Sequence, residues 1–202
     1  MSMLTEQFPV SLEVNGAECP INADFRTVLK CYEIQGGKKE LTPGELMKIL
    51  CVFYKRQRLF SEEHVSKMFW FFSCGREEKK KAFPRRIAGI NNKQPFDFQE
   101  DADLIYAGFI QQYGIDLQVE DLHWWKFMIL LENFGSDTRL SRIMEYRTID
   151  TASKHLPKEQ RKFYQAMQRY YGLEGRQMPE MTERDRLVED ALLNGGDVSK
   201  LL

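Results

Sequence analysis

The sequence predicts a mainly α-helical fold, a multi-helix bundle around a central apolar helix at residues 119–134, with a small N-terminal β-hairpin. Three observations predict it. Residues 119–134, VEDLHWWKFMILLENF, are apolar at ten of sixteen positions, and a helix apolar nearly all round must be covered on several sides. Capping residues, prolines and glycines punctuate the rest of the chain at helical lengths. Asn15-Gly16 lies between two alternating stretches, as a type I′ hairpin turn requires.

The chain has 202 residues, is 43% apolar and 29% charged, and carries a net charge of −1. It is long enough for a real core and implies neither disorder nor a strong polyelectrolyte partner. Residues 1–95 hold 16 basic against 11 acidic residues and residues 96–202 hold 13 against 19, so the halves are +5 and −6. That asymmetry favours head-to-tail self-association, a possible homo-oligomer. Cys19, Cys31, Cys51 and Cys74 form no CxxC pair and are expected as reduced, mostly buried thiols. The start, MSMLTEQFPV, lacks a basic segment followed by an apolar run, so no signal peptide is expected. The longest apolar runs fall far short of a membrane span. These features place the protein in the cytoplasm.

In chain order, Val10, Leu12 and Val14 alternate before Asn15-Gly16, and a hairpin this short needs helices to pack on. Asn22 or Asp24 caps a helix through Phe25, Val28, Leu29 and Tyr32, closed by Gly36-Gly37. Thr42-Pro43-Gly44-Glu45 has capping-box spacing with proline at the first helical position, followed by a face of Leu46, Ile49, Leu50 and Phe53. Ser61 caps the next helix, with Val65, Met68, Phe69 and Phe72 on its face. The run Met68 to Phe72 is too apolar for a helix that reads a DNA groove, so this pair is a core helix hairpin rather than a helix-turn-helix.

Between Arg76 and Lys93 stand seven Lys or Arg against two Glu, with Pro84, Gly89 and Asn91-Asn92. This reads as a solvated basic connector. Asp97 opens a helix with the face Phe98, Ala102, Ile105 and Phe109, ended by Gly114 before the central helix. Asp137 or Thr138 caps another, with Leu140, Ile143, Met144 and Arg147 along one face. Pro157 starts a further helix with Phe163, Met167, Tyr170 and Tyr171, closed by Gly172. Thr182 to Leu193 is a last short amphipathic helix, marginal by itself. The expected organisation is hairpin plus helices over 1–75, basic linker over 76–95, helical core region over 96–173, and C-terminal joint and short helix over 174–202, together one domain.

The search for chemistry finds no GxSxG, Walker loop, GxGxxG or HExxH. His64, His123 and His155 are isolated in sequence, and His123 beside Trp124 reads as a hydrogen-bonded structural histidine. Asp97, Glu100, Asp101 and Asp103 cluster without the glycine and terminal glutamate of a calcium loop. Arg142 pairs with Glu145 on an exposed face and Arg147 reaches a carboxylate, surface contacts that contribute little. The aromatics recur at helical spacing inside apolar faces and read as core rather than base-stacking platforms. No enzyme activity, metal or cofactor is expected.

The segments FDFQEDADLIYAGFIQQYGIDL, LHWWKFMILLENF and TRLSRIMEYRTID, within Phe96 to Asp150, resemble the bacteriophage Gp-fifteen family, small proteins of tailed phages and of prophages in Gram-positive bacteria. The signature is Trp124-Trp125 followed by Phe127, with Tyr146-Arg147 downstream. The resemblance implies a gene between those of the major tail protein and the tape measure protein, a tail assembly chaperone role, and work in the host bacterial cytoplasm. It carries over no catalytic or binding residue.

A helical protein with an apolar groove suits that role, because a tape measure protein exposes apolar helical stripes before assembly. The expected partners are phage tail proteins, the tape measure protein first among them. The expected contact residues are Lys80, Lys81, Arg85 and Arg86 in the connector and Leu187, Val188 and Leu192 near the C-terminus. The alternatives are a structural component of the tail and a nucleic-acid-binding accessory protein using segment 76–93.

Overall fold

Asn15 and Gly16 both adopt positive φ, 51° and 74°, the backbone of the expected two-residue turn. They join β1 (Ser11–Val14) to β2 (Ala17–Pro20) in antiparallel register, with Leu12 opposite Cys19 and Val14 opposite Ala17. The computed structural model describes residues 4–38, 40–56, 59–76, 89–153 and 156–173. The helices that follow in these residues are α1 (Phe25–Gln35), α2 (Pro43–Phe53), α3 (Glu62–Phe72), α4 (Ala102–Tyr113), α5 (Trp124–Glu132), α6 (Arg139–Thr148) and α7 (Lys158–Tyr171). The fold is mainly helical, with one small N-terminal hairpin. The chain divides into two compact units, Met1–Glu77 with Ile115–Asn133, and Glu78–Gly114 with Phe134–Leu202.

In the first unit, α1 packs on α2 and α5, and α3 packs on α2 and β1. Local signals set the helix ends. Asp24 caps α1 by accepting from the Arg26 N–H, and Gly36 closes it in the left-handed region. Thr42 and Glu45 form the reciprocal capping box of α2. At the start of α3, the Ser61 N–H donates to His64 Nδ1 at 3.0 Å, so the histidine fills the place that a glutamate or glutamine takes in the usual box. The buried residues of α3 are His64, Met68 and Phe71, while Phe69 is 47% exposed. The expected face of Val65, Met68, Phe69 and Phe72 is therefore rotated. In a run of five consecutive apolar residues, periodicity carries no phase.

Trp124 and Trp125 are each 1% exposed, and Phe53, Phe71 and Phe127 are buried with them. Phe127 stacks on Phe25 at 4.7 Å. The two indole N–H groups donate to the last carbonyls of α3, Trp125 to Phe71 O at 2.8 Å and Trp124 to Phe72 O at 3.0 Å. Phe71 O also accepts from Cys74 N at 3.0 Å, so the paired tryptophan supplies apolar bulk and adds to the C-terminal capping of α3.

The helix expected from residue 119 begins at Trp124. Leu122 O accepts from Phe25 N instead of continuing a helix, and Leu117 O and Glu120 O accept from the Arg26 guanidinium. Val119 is 75% exposed. His123, within the expected helix, is its N-cap.

In the second unit, α4 and α7 each pack on α6. Phe109, Ile105, Leu140 and Ile143 are buried, and Phe134 packs against the bare backbone of Gly108. Ile90 forms a single antiparallel bridge with Ile149. Asp97 caps a turn by accepting from Gln99 N and Glu100 N, which delays α4 to Ala102. Thr138 caps α6 through Ser141 N.

Cys19, Cys31 and Cys74 are buried free thiols and Cys51 is an exposed one. Among the described residues, no helix is long and apolar enough to cross a membrane.

Candidate functional surface

All seven expected contact residues, Lys80, Lys81, Arg85, Arg86, Leu187, Val188 and Leu192, lie outside the described residues, as does His155. The described surface with the clearest unfinished character is α7. Its sequence, KEQRKFYQAMQRYY, sets Phe163, Tyr164, Met167, Tyr170 and Tyr171 among charged and amide side chains, a narrow stripe on an otherwise polar helix. None of its fourteen residues is buried. Phe163 is 48% exposed and Tyr170 77%, while Tyr164, Met167, Gln168 and Tyr171 are half-buried.

Tyr146 of α6 joins the stripe. Its ring lies 5.9 Å from Phe163, 6.2 Å from Tyr164 and 6.0 Å from Tyr171. Tyr170 meets Tyr171 edge-on at 4.7 Å. The result is a contiguous aromatic surface, partly open to solvent.

Polar bonds hold α7 where apolar packing is thin. Arg147 Nε donates to Tyr171 O at 2.6 Å, its Nη1 donates to Pro95 O at 3.1 Å, and its guanidinium grips the Asp101 carboxylate. Asp101 also accepts from Asp97 N. Gln168 Nε2 donates to Ile149 O at 2.8 Å, and Asn91 Nδ2 to the carbonyls of Arg147 and Ile149. The expected surface role of Arg147 is thus corrected: it is 6% exposed and its partner Asp101 2%. Beside this network, between the end of α6 and the start of α7, lies a recess of about 530 Å³ floored by Ile90, Ile149, Leu156 and Pro157.

Asp97 and Asp101 are spent on the turn and the ion pair, and among the described residues no group of three His, Cys, Asp or Glu is placed to hold a metal ion. His123 accepts at Nδ1 from Trp125 N and meets Pro9 O through Nε2. Burial holds its pKa below the ordinary imidazole value, and the Pro9 carbonyl works in the opposite direction. His64 is occupied by Ser61 on one side and Cys19 on the other.

The sequence reading placed Phe163, Met167, Tyr170 and Tyr171 on one helix face without proposing a contact there. The available signal was the narrowness of that stripe, too narrow for a helix enclosed by its neighbours.

A family model described as Bacteriophage Gp15 protein matches residues 4–173, and the match ends two residues beyond α7. No curated protein and no solved structure matches the chain.

Proposed function

Because the chain belongs to the bacteriophage Gp15 family, we propose that it acts as a tail assembly chaperone, binding the tape measure protein or other tail components during tail morphogenesis. The observation that carries this reading is the partly open aromatic surface of α7 and Tyr146. A helical chain with an apolar stripe can lay that stripe along α7, and burying each large aromatic more fully contributes up to about 3 kcal/mol. Such contacts would keep the stripe from aggregating until tail protein polymerises around it. Lys80, Lys81, Arg85 and Arg86, with Leu187, Val188 and Leu192, extend the proposed contact set. Work of this kind takes place in the host cytoplasm and needs no catalysis or cofactor.

Co-expression with a phage tape measure protein, which the family resemblance implies is encoded by a neighbouring gene, tests the reading. The expected result is a soluble complex that survives pull-down and weakens when Phe163 and Tyr170 are both changed to Asp, since these exposed side chains can change without disturbing a core. No gain in solubility and no complex would remove the chaperone role. Stoichiometric protein in mature virions would favour the structural alternative.

A further inference from the structure

In an antiparallel hairpin, alternate residues bond to the partner strand and the others turn their main-chain groups away from it. Ile21 N donates to Val10 O at 3.0 Å, and Leu12 stands opposite Cys19 two positions on. Val10, Leu12 and Val14 are therefore the inward-bonding positions, and Ser11 and Glu13 direct their N–H and C=O groups outward. The far edge of β2 is covered at its C-terminal end, since Asn22 N donates to Phe53 O, Lys55 N to Pro20 O, and Ile21 bridges Tyr54. The outer edge of β1 has no such cover among the described residues.

Along that edge runs a groove of about 390 Å³, lined on one side by Pro9 and by β1 and on the other by Ser66, Lys67 and Trp70 of α3. Unpaired strand edge on one wall and helix on the other form a slot for extended chain. Its accessible wall is mostly apolar, and Trp70 on the helix side is half-buried.

Charge narrows the choice of occupant. Glu13 stands directly opposite Glu18 across the hairpin, an arrangement that costs stability because like charges face each other. Among the described residues neither carboxylate has an ion pair, and Glu18 accepts only the Ser11 hydroxyl, at 2.5 Å. A strand with a Lys or Arg beside Glu13 relieves that repulsion. A second copy of this chain would instead bring another Glu13–Glu18 pair to the same edge.

We propose that the β1–α3 groove binds an extended peptide of alternating apolar and basic residues from another protein, added as a third strand. Its main chain pairs with Ser11 and Glu13, its apolar side chains face Trp70, and its cations stand beside Glu13. This contact is separate from the α7 surface, and either can exist without the other.

The test uses the full isotope-labelled chain and the synthetic peptide acetyl-Thr-Val-Lys-Val-Lys-Val-Thr-amide, titrated to about 1 mM, the range expected of a short strand. The Ser11 and Glu13 amide protons are expected to move downfield and to exchange more slowly. Methylating the peptide nitrogens that face β1, or replacing both peptide lysines by Asp, should weaken binding about tenfold or more. Glu13→Lys, at an exposed position, should reverse the preference between the Lys and Asp peptides. The proposal is overturned by no response at the two amides, or by equal binding of the methylated peptide. It is equally overturned if those amides exchange slowly in the free chain, which would mean that the chain or a second copy already covers the edge.

Discussion

The Arg147 guanidinium holds the Asp101 carboxylate with both arms of its fork, Nη1 to Oδ2 at 2.6 Å and Nη2 to Oδ1 at 2.9 Å, the side chains being 7% and 3% exposed. Because the same guanidinium also binds Tyr171 O and Pro95 O, it ties α6 to the start of α4 and the end of α7. Arg147→Met leaves a buried carboxylate without its cation and should cost about 3–5 kcal/mol, read in urea unfolding. Adding Asp101→Asn to that variant removes the stranded charge and should restore part of the loss. Arg147→Lys should also destabilise, because an ammonium cannot serve two carboxylate oxygens and two carbonyls in this planar arrangement. A loss within about 0.5 kcal/mol for Arg147→Met, the level of an ordinary surface change, would contradict this account.

Gly108 sits within α4, where alanine would be favoured by about 1 kcal/mol on helix propensity alone. A Cβ there would run into the Phe134 ring, meeting Cζ at 2.7 Å and Cδ2 at 3.1 Å. The ring also lies against Phe109 at 5.3 Å and Tyr113 at 5.9 Å, contacts that swinging aside would give up. Overpacking of this kind costs about 1–3 kcal/mol and should outweigh the propensity gain. Gly108→Ala is therefore expected to melt below the parent chain, and a higher midpoint would show that the ring yields.

What the sequence made legible was local. Asn15-Gly16, the Thr42 to Glu45 box, Gly36 and Thr138 fix their turns and caps through neighbours within a few positions, and the structure follows them. The start of α5 was not legible, because the carbonyls that would have extended it backwards are engaged by Phe25 and Arg26, roughly ninety residues earlier in the chain. The burial of Arg147 is hidden for the same reason, its partner Asp101 lying 46 positions away. At the candidate surface, the aromatic stripe of α7 can be read from spacing. Its narrowness signals a helix that is not enclosed, but which of its side chains the rest of the fold covers is a tertiary fact that spacing does not give.

The four cysteines should separate cleanly by reactivity. Cys51 is exposed and the other three are buried. Burial raises the Cys31 thiol to about 12 and the Cys74 thiol to about 11, and the thiolate is the species that alkylates. Iodoacetamide at about pH 8, near the ordinary thiol value, should label one site quickly and the remaining three only after denaturation. Mass spectrometry that places early label on Cys31 or Cys74 would contradict the packing of the first unit.

His123 gives the first unit a defined response to acid. Its Nδ1 can accept the Trp125 N–H, at 3.0 Å, only while unprotonated, and its Nε2 then donates to Pro9 O at 3.0 Å. Burial, the larger cause, depresses its folded pKa, with the Pro9 carbonyl acting against it. In the unfolded chain the ring titrates at about 6.5. Between the two values the unfolded state binds more protons, so stability rises with pH across that window. The contribution is fully present above about 6.5 and is lost as pH falls through the folded pKa. His123→Asn keeps a side chain that caps helices well and does not titrate. Urea unfolding between about pH 7.5 and pH 5, bracketing the ordinary imidazole value, should therefore show a steeper loss for the parent chain than for the variant. Parallel curves would mean that the ring is not held neutral at the start of α5.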